Sequence, residues 1–177
     1  MEPAMSTPVV LRAYLPEEYD VALSYIPYLD EAAREQRRER LRASGGRYFT
    51  EILFAVEAEG RLVGEVQARF NGNLIPPGVF EIGIELFRDE DRGRGFGRGA
   101  VAALLDHLFD REEAERVQGS TDLENAPMRG TFESLGFTYE GAMRGFMPSP
   151  DGRRDYALYG ITREEWRARG TGSPARS

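Results

Sequence analysis

The chain has 177 residues, 41% hydrophobic and 30% charged, a length that suits one compact domain and leaves little room for a second. Apolar stretches are short and cut by Arg, Glu or Gly, so none approaches the roughly 20 residues of a membrane helix, and the lack of cysteine excludes disulfides, thiolate metal sites and a cysteine nucleophile. A formal net charge of −7 argues against a general nucleic-acid binder and modestly favours a cationic small molecule or basic peptide as substrate.

Residues 1–8 and 170–177 are rich in Pro, Ser and Gly and are expected to be flexible. The start has no basic and apolar blocks of a secretory signal, so a cytoplasmic protein with one folded unit at 9–169 is expected. That unit opens with a strand at 9–14. Pro16 then starts a short helix to about residue 26, and a charged helix follows over 30–43, ending near Gly45 and Gly46. Residues 49–58 and 62–70 are β-rich runs separated by Glu59, Gly60 and Arg61, the spacing of an antiparallel hairpin.

After a turn-rich stretch at 71–78, residues 79–87 alternate. Ile82, Ile84 and Leu86 share one face, and Glu81, Gly83 and Glu85 share the other. A charged, glycine-rich turn over 88–97 leads into a helix whose stripe is Val101, Leu104, Leu105 and Leu108, with His107 beside it at the surface. Residues 116–121 form a further strand. Asn125 caps the next helix, with Pro127 in its first turn and Gly136 at its C-terminal end. Two closing strands, 137–147 and 154–160, precede a last helix at 162–169 that Trp166 packs on the sheet. The sum is a mixed α/β sheet.

The stretch Asp91-Arg92-Gly93-Arg94-Gly95-Phe96-Gly97-Arg98-Gly99-Ala100 is the most informative. Glycines directly before a helix let backbone N–H groups converge on an anion, and the helix N-terminus adds partial positive charge, so pyrophosphate is the expected guest. All 23 basic residues are arginine, which most simply marks a GC-rich genome and also means that any anion is met by forked guanidinium groups. No Gly-Lys-Ser/Thr follows, so this is not a nucleoside-triphosphate loop. Read from Gly95, the loop also fits Gly-x-Gly-x-x-Ala, with Asp122 where a dinucleotide fold places its ribose-binding acid. Against that rival stand the antiparallel meander upstream and the polar segment 88–92 between strand and glycines.

Arg92-x-x-Gly95-x-Gly97, between the strand Glu81-Ile-Gly-Ile-Glu-Leu86 and an amphipathic helix, resembles the acetyl-CoA pyrophosphate loop of the GNAT N-acetyltransferases. Asn125-Ala-Pro-Met-Arg-Gly-Thr-Phe-Glu-Ser-Leu-Gly-Phe137 is similar to that family's second signature. Tyr139-Glu-Gly-Ala-Met-Arg144, Arg154-Asp155, Leu158 and Glu165-Trp166 resemble the branch of ribosomal-protein N-terminal alanine acetyltransferases. The resemblance implies a mostly antiparallel α/β sheet of about seven strands flanked by helices, with a V-shaped splay between the fourth and fifth strands, 79–87 and 116–121.

It also implies transfer of an acetyl group from acetyl-CoA, the co-substrate, to a primary amine on a peptide N-terminus or small molecule. An ammonium must first lose a proton, and Glu81 is the first choice as base, with Glu85 its partner or replacement. Backbone N–H groups around Leu86 and Phe87 would meet the oxyanion. Arg92, Gly93, Arg94, Gly95, Phe96, Gly97 and Arg98 would hold the CoA phosphates, Asn125 the pantetheine arm, and Arg129 the phosphates again. Many members place a tyrosine four residues before the Gly of Leu-Gly-Phe to protonate the thiolate; here that residue is Phe132, and Ser134 or a water would stand in. No metal, nucleic acid or membrane partner is implied, and a homodimer is compatible. A non-catalytic acyl-CoA-binding regulator is the alternative that Phe132 raises.

Overall fold

The structure is a computed structural model that describes residues 8–70 and 75–170. In chain order it forms β1 (Val9–Arg12), a 3₁₀ turn (Pro16–Glu18) running into α1 (Tyr19–Ser24), α2 (Glu31–Arg42), β2 (Arg47–Tyr48), β3 (Glu51–Ala58) and β4 (Arg61–Arg69). These are followed by β5 (Val79–Leu86), a second 3₁₀ turn (Asp89–Asp91), α3 (Phe96–Asp110), β6 (Arg116–Asp122), α4 (Ala126–Ser134), β7 (Thr138–Ser149), β8 (Gly152–Thr162) and α5 (Arg163–Gly170). Residues 1–7, 71–74 and 171–177, on which the expected flexible ends and part of the 71–78 turn fall, lie outside the described residues.

The strands make one eight-stranded sheet in the order β1-β3-β4-β5-β6-β8-β7, with β2 paired to the start of β3. All its pairings are antiparallel except β5–β6. This is the mixed α/β sheet flanked by helices that the sequence predicts, with one strand more. β2 pairs through two residues, Arg47 to Ile52 and Tyr48 to Glu51, too few to show a period. The helix expected from Pro16 is broken: a 3₁₀ turn of 3 residues leads into an α-helix of 6.

Local sequence sets each of these pieces. Glu59 and Gly60 both have positive φ, 54° and 74°, which is the type I′ turn whose twist suits a two-residue hairpin loop. On β3, Ile52, Phe54 and Val56 face the main core, while Leu53 and Ala55 face a smaller cluster with Tyr14, Ala22, Leu23 and Leu41. The period of two therefore sandwiches the sheet, with α1 and α2 on one face and α3 and α4 on the other. The α3 stripe of Phe96, Val101, Leu104, Leu105 and Leu108 is buried against that main core. Trp166 stacks on Phe109 of α3 with ring centroids 5.7 Å apart, so it packs α5 against the helix layer.

The feature that positions the site is the way β5 leaves β6. The two strands pair in parallel at four positions, from Val79 opposite Arg116 to Ile82 opposite Gly119, and no further. Phe87 N–H donates to Val63 O at 3.0 Å, which fixes the phase of the β4–β5 ladder: Glu81, Gly83, Glu85 and Phe87 bond toward β4. The backbone groups of Ile84 and Leu86 therefore point the other way, into the wedge that opens beyond Ile82.

Candidate active site

The wedge holds a cavity of about 560 Å³ lined by Ile84, Glu85 and Leu86 of β5, Arg92, Gly93, Gly95, Gly97 and Arg98 of the loop and α3, and Asn125, Pro127, Met128 and Thr131 of α4. That volume lies in the ~300–1,000 Å³ range of small-molecule sites. One end is built for an anion. Gly93 and Gly95 take φ of +71° and +85°, conformations that side chains oppose, and Gly95 is the N-cap of α3. The first helical bond runs from Gly99 N–H to Gly95 O at 2.9 Å, so the N–H groups of Phe96, Gly97 and Arg98 precede it and remain available at the positive end of the helix. Arg92 and Arg98 line this end as well, Arg92 ion-paired with the exposed Asp89 at 3.0 Å and Arg98 donating through Nε to Ser134. The other end, along Ile84, Leu86, Pro127 and Met128, is apolar with backbone edges exposed, which fits an amide-bearing chain leading from a phosphate head. The residues present fit coenzyme A.

Not every residue expected on this ligand faces it. Arg94 turns away to Glu59 at 2.5 Å and Asp91 at 3.7 Å and lies 4.7 Å over the Phe96 ring. Phe96 is fully buried, so only its backbone is available to a ligand. Arg129 donates to Tyr159 Oη at 3.2 Å and to Leu123 O at 3.1 Å, a bracing role between α4 and the strands on either side of it. Asn125 lines the cavity and also caps α4, accepting from Met128 N–H at 3.2 Å while donating to Thr121 Oγ1 at 3.0 Å. Ser134 accepts from Arg98 Nε at 3.1 Å and sits outside the cavity lining. His107 meets Glu112 at 3.2 Å and the edge of Phe54, away from the wedge.

The buried acid of the turn, Asp91, is paired before it can repel an anion. Asp91 is fully buried and receives Arg61 on both oxygens, one at 3.0 Å. The Arg61 hydrogen bonds hold its carboxyl below the usual range, against the opposing pull of burial. Because the folded pKa is depressed, the pair contributes stability that is present above the ordinary carboxylate pKa of about 3.9 and is lost as pH falls through the folded value. Asp91→Asn is therefore expected to lower the melting temperature at pH 7, with the gap to the parent narrowing below about pH 4; a gap that stays constant with pH would exclude the ion pair as its cause.

The two candidate bases occupy different places. Glu81 lies in the closed part of the β5–β6 pairing, bonded to Arg69 at 2.9 Å and 3.5 Å from Gln118. It lines neither cavity described here. Glu85, four residues further along the same face, is exposed, and among the described residues its carboxylate has no hydrogen-bond or ion-pair partner. It lines the wedge and also a second cavity, of about 410 Å³, on the opposite face beneath α1 and α2. Sequence reasoning found no signal for this second cavity, because its walls come from segments far apart in the chain. Among the N–H groups expected to meet an oxyanion, that of Phe87 is taken by Val63 O, and that of Leu86 faces the wedge.

Phe132 is buried, stacked on Tyr159 and tilted against Phe137, with its ring tip aimed at Gly119 of β6, where an added Cβ would come within 2.7 Å. The close approach of Gly119 leaves little room for a hydroxyl on that ring. Phe132→Tyr is expected to lower stability by about 1–3 kcal/mol, the cost of an unsatisfied buried hydroxyl, without raising turnover. A faster enzyme with unchanged melting temperature would show that the ring can turn to the site.

The dinucleotide rival meets a sheet with a single parallel pair, and Asp122 is ion-paired with Arg154 at 3.0 Å. Comparison with known proteins points elsewhere. The family model for the acetyltransferase (GNAT) domain matches residues 5–138. An uncharacterized N-acetyltransferase p20 of Bacillus licheniformis is 29% identical over 89 residues, 50% of this chain and 49% of that protein, so the match spans about half its length. The spermidine/spermine N-acetyltransferase SpeG of Vibrio cholerae superposes with a TM-score of 0.77 at 19% identity, covering 94% of this chain and 99% of that one. RimL, a ribosomal L7/L12 α-N-protein acetyltransferase solved with coenzyme A, gives 0.70 at 16% identity, covering 89% and 95%. At these identities the two structures speak for the fold.

Proposed function

The chain belongs to the GNAT acetyltransferase family, and from that premise we propose that it moves an acetyl group from acetyl-CoA to a primary amine by direct attack, both substrates being bound at once. The observation that carries this reading is the position of Glu85, shared by the coenzyme-sized wedge and the second cavity across the β5 strand. Bound acetyl-CoA supplies the thioester acyl group. The α3 N-terminus, with Arg92 and Arg98, holds its phosphates; Asn125 and the edges of Ile84 and Leu86 hold the arm. Leu86 N–H is placed to stabilise the charge that gathers on the carbonyl oxygen. Glu85 takes the proton from the ammonium, directly or through one water, since an amine of pKa near 10 is unreactive while protonated. The thiol departs with a pKa near 8.5, which needs no strong acid near neutral pH.

Glu81, ion-paired with Arg69 and outside both cavities, is assigned no proton transfer in this reading. The lack of cysteine excludes a thioester acyl-enzyme and so supports direct attack. The signatures shared with ribosomal-protein N-terminal alanine acetyltransferases support a peptide N-terminus among the acceptors. Initial rates of thiol release with both substrates varied test the proposal: intersecting lines are expected, whereas parallel lines, or release that no amine increases, would refute it.

A further inference from the structure

The second cavity is lined along one side by Tyr25, Ile26, Tyr28 and Leu29, from the segment that follows α1, and by Phe87 beyond β5. Tyr25 stacks on Phe87 with centroids 4.5 Å apart and planes 9° from parallel, a preformed apolar wall. Tyr28, at the mouth, is 84% exposed, a large ring left in water and able to cover a guest.

The opposite side is polar, and its charges are already committed. Glu65, cross-strand from Glu85, accepts from the buried Tyr14 hydroxyl at 2.7 Å and from Arg37, itself 5% exposed. Arg40 is held on Glu51, one bond being 2.6 Å. Burial and the charge of Glu65 raise the Tyr14 phenol well above its ordinary range, so it stays a donor to that carboxylate. Of the two carboxylates lining the cavity, Glu85 is the one with no partner among the described residues.

We propose, building on the transferase reading above, that this cavity takes a singly charged primary amine carried on an aromatic or branched apolar group, and that it discriminates against polyamines. The amine reaches Glu85, and its apolar body lies on the Tyr25–Phe87 wall beneath Tyr28. One unpaired carboxylate matches one ammonium. A second cation on the same ligand would find no free carboxylate, because Glu65 is taken by Arg37 and Tyr14 and Glu51 by Arg40, and its desolvation would go uncompensated. A cavity of about 410 Å³ holds a small arylalkylamine or the first residues of a peptide with a large apolar N-terminal side chain. Both sources present the same chemistry.

The test measures thiol release from acetyl-CoA by the full chain with four acceptors: 2-phenylethylamine, a tripeptide amide beginning with phenylalanine, the same peptide beginning with glycine, and spermidine. At least one phenyl-bearing acceptor is expected to exceed both glycine peptide and spermidine in kcat/KM by about tenfold or more, as filling an apolar pocket gives; whichever does so names the source. Tyr28→Ala, at an exposed position that the fold does not need, is expected to raise KM for that acceptor and leave KM for acetyl-CoA unchanged. Equal or better turnover of spermidine, or an apolar preference that survives Tyr28→Ala, would overturn the assignment while leaving the transferase reading intact. Release that none of the four amines increases would overturn both.

Discussion

Glu85→Gln lowers kcat for acetyl transfer by about 10²- to 10⁴-fold, the contribution of a positioned general base, while coenzyme A binds as tightly as to the parent. The carboxylate lines both cavities and has no partner among the described residues, so the amide removes a proton acceptor and disturbs no observed ion pair. Shape is nearly kept, which separates chemistry from packing. Glu81→Gln serves as the comparison. Glu81 sits where β5 and β6 are still paired and is bonded to Arg69, so its loss costs turnover much less. Stopped assays of kcat with calorimetric titration of coenzyme A read the two quantities separately. A larger loss at Glu81 than at Glu85 would return the base to Glu81.

Gly95→Val weakens coenzyme A binding by at least about tenfold, through backbone strain at one residue. The residue caps α3 with φ of +85°, where an L side chain costs roughly 1–2 kcal/mol and a β-branched one more. The chain relieves that strain by rotating the N–H groups of Phe96, Gly97 and Arg98 off the anion position, and ~1.4 kcal/mol is already tenfold in affinity. No neighbouring atom lies within 4 Å of an added Cβ, so the valine itself meets no wall and the packed core is spared. The melting temperature with no ligand should therefore fall only modestly, and stabilisation by added coenzyme A should largely disappear. Undiminished affinity would mean that the loop does not hold the phosphates.

What the sequence makes legible is whatever one segment encodes alone. The β3–β4 hairpin declares itself through Glu59-Gly60, β5 through its alternation, and α4 through the Asn125 cap and Gly136, which has a φ of +81°. The glycine loop is legible for the same reason: its chemistry is backbone, and glycine writes backbone conformation directly into sequence. Side-chain destinations are not. Arg92, Arg94 and Arg98 read alike in the sequence, yet Arg94 is taken by Glu59 and Asp91, partners that strand pairing and the turn before the loop bring to it. Glu81 and Glu85 also read alike, being four residues apart on one face. Only the point where β6 diverges, after Gly119, separates a carboxylate in a closed ladder from one at an open wedge. The long β7–β8 ribbon runs past the predicted ends to Ser149 and Gly152 because its outer part is exposed and carries register shifts that mask the period. The second cavity depends on α1 and α2 crossing over β4 and β5, long-range packing with no local signature.

The central claim is that β5 carries the junction between a coenzyme wedge and an acceptor cavity, with Glu85 at the junction. The most direct measurement is a crystal structure with coenzyme A bound. The account predicts phosphate oxygens on the N–H groups at the start of α3, the pantetheine arm along Ile84 and Leu86, and the sulfur within one water molecule's reach of the Glu85 carboxylate. Coenzyme A bound outside the wedge, or with its sulfur directed away from Glu85, would contradict it.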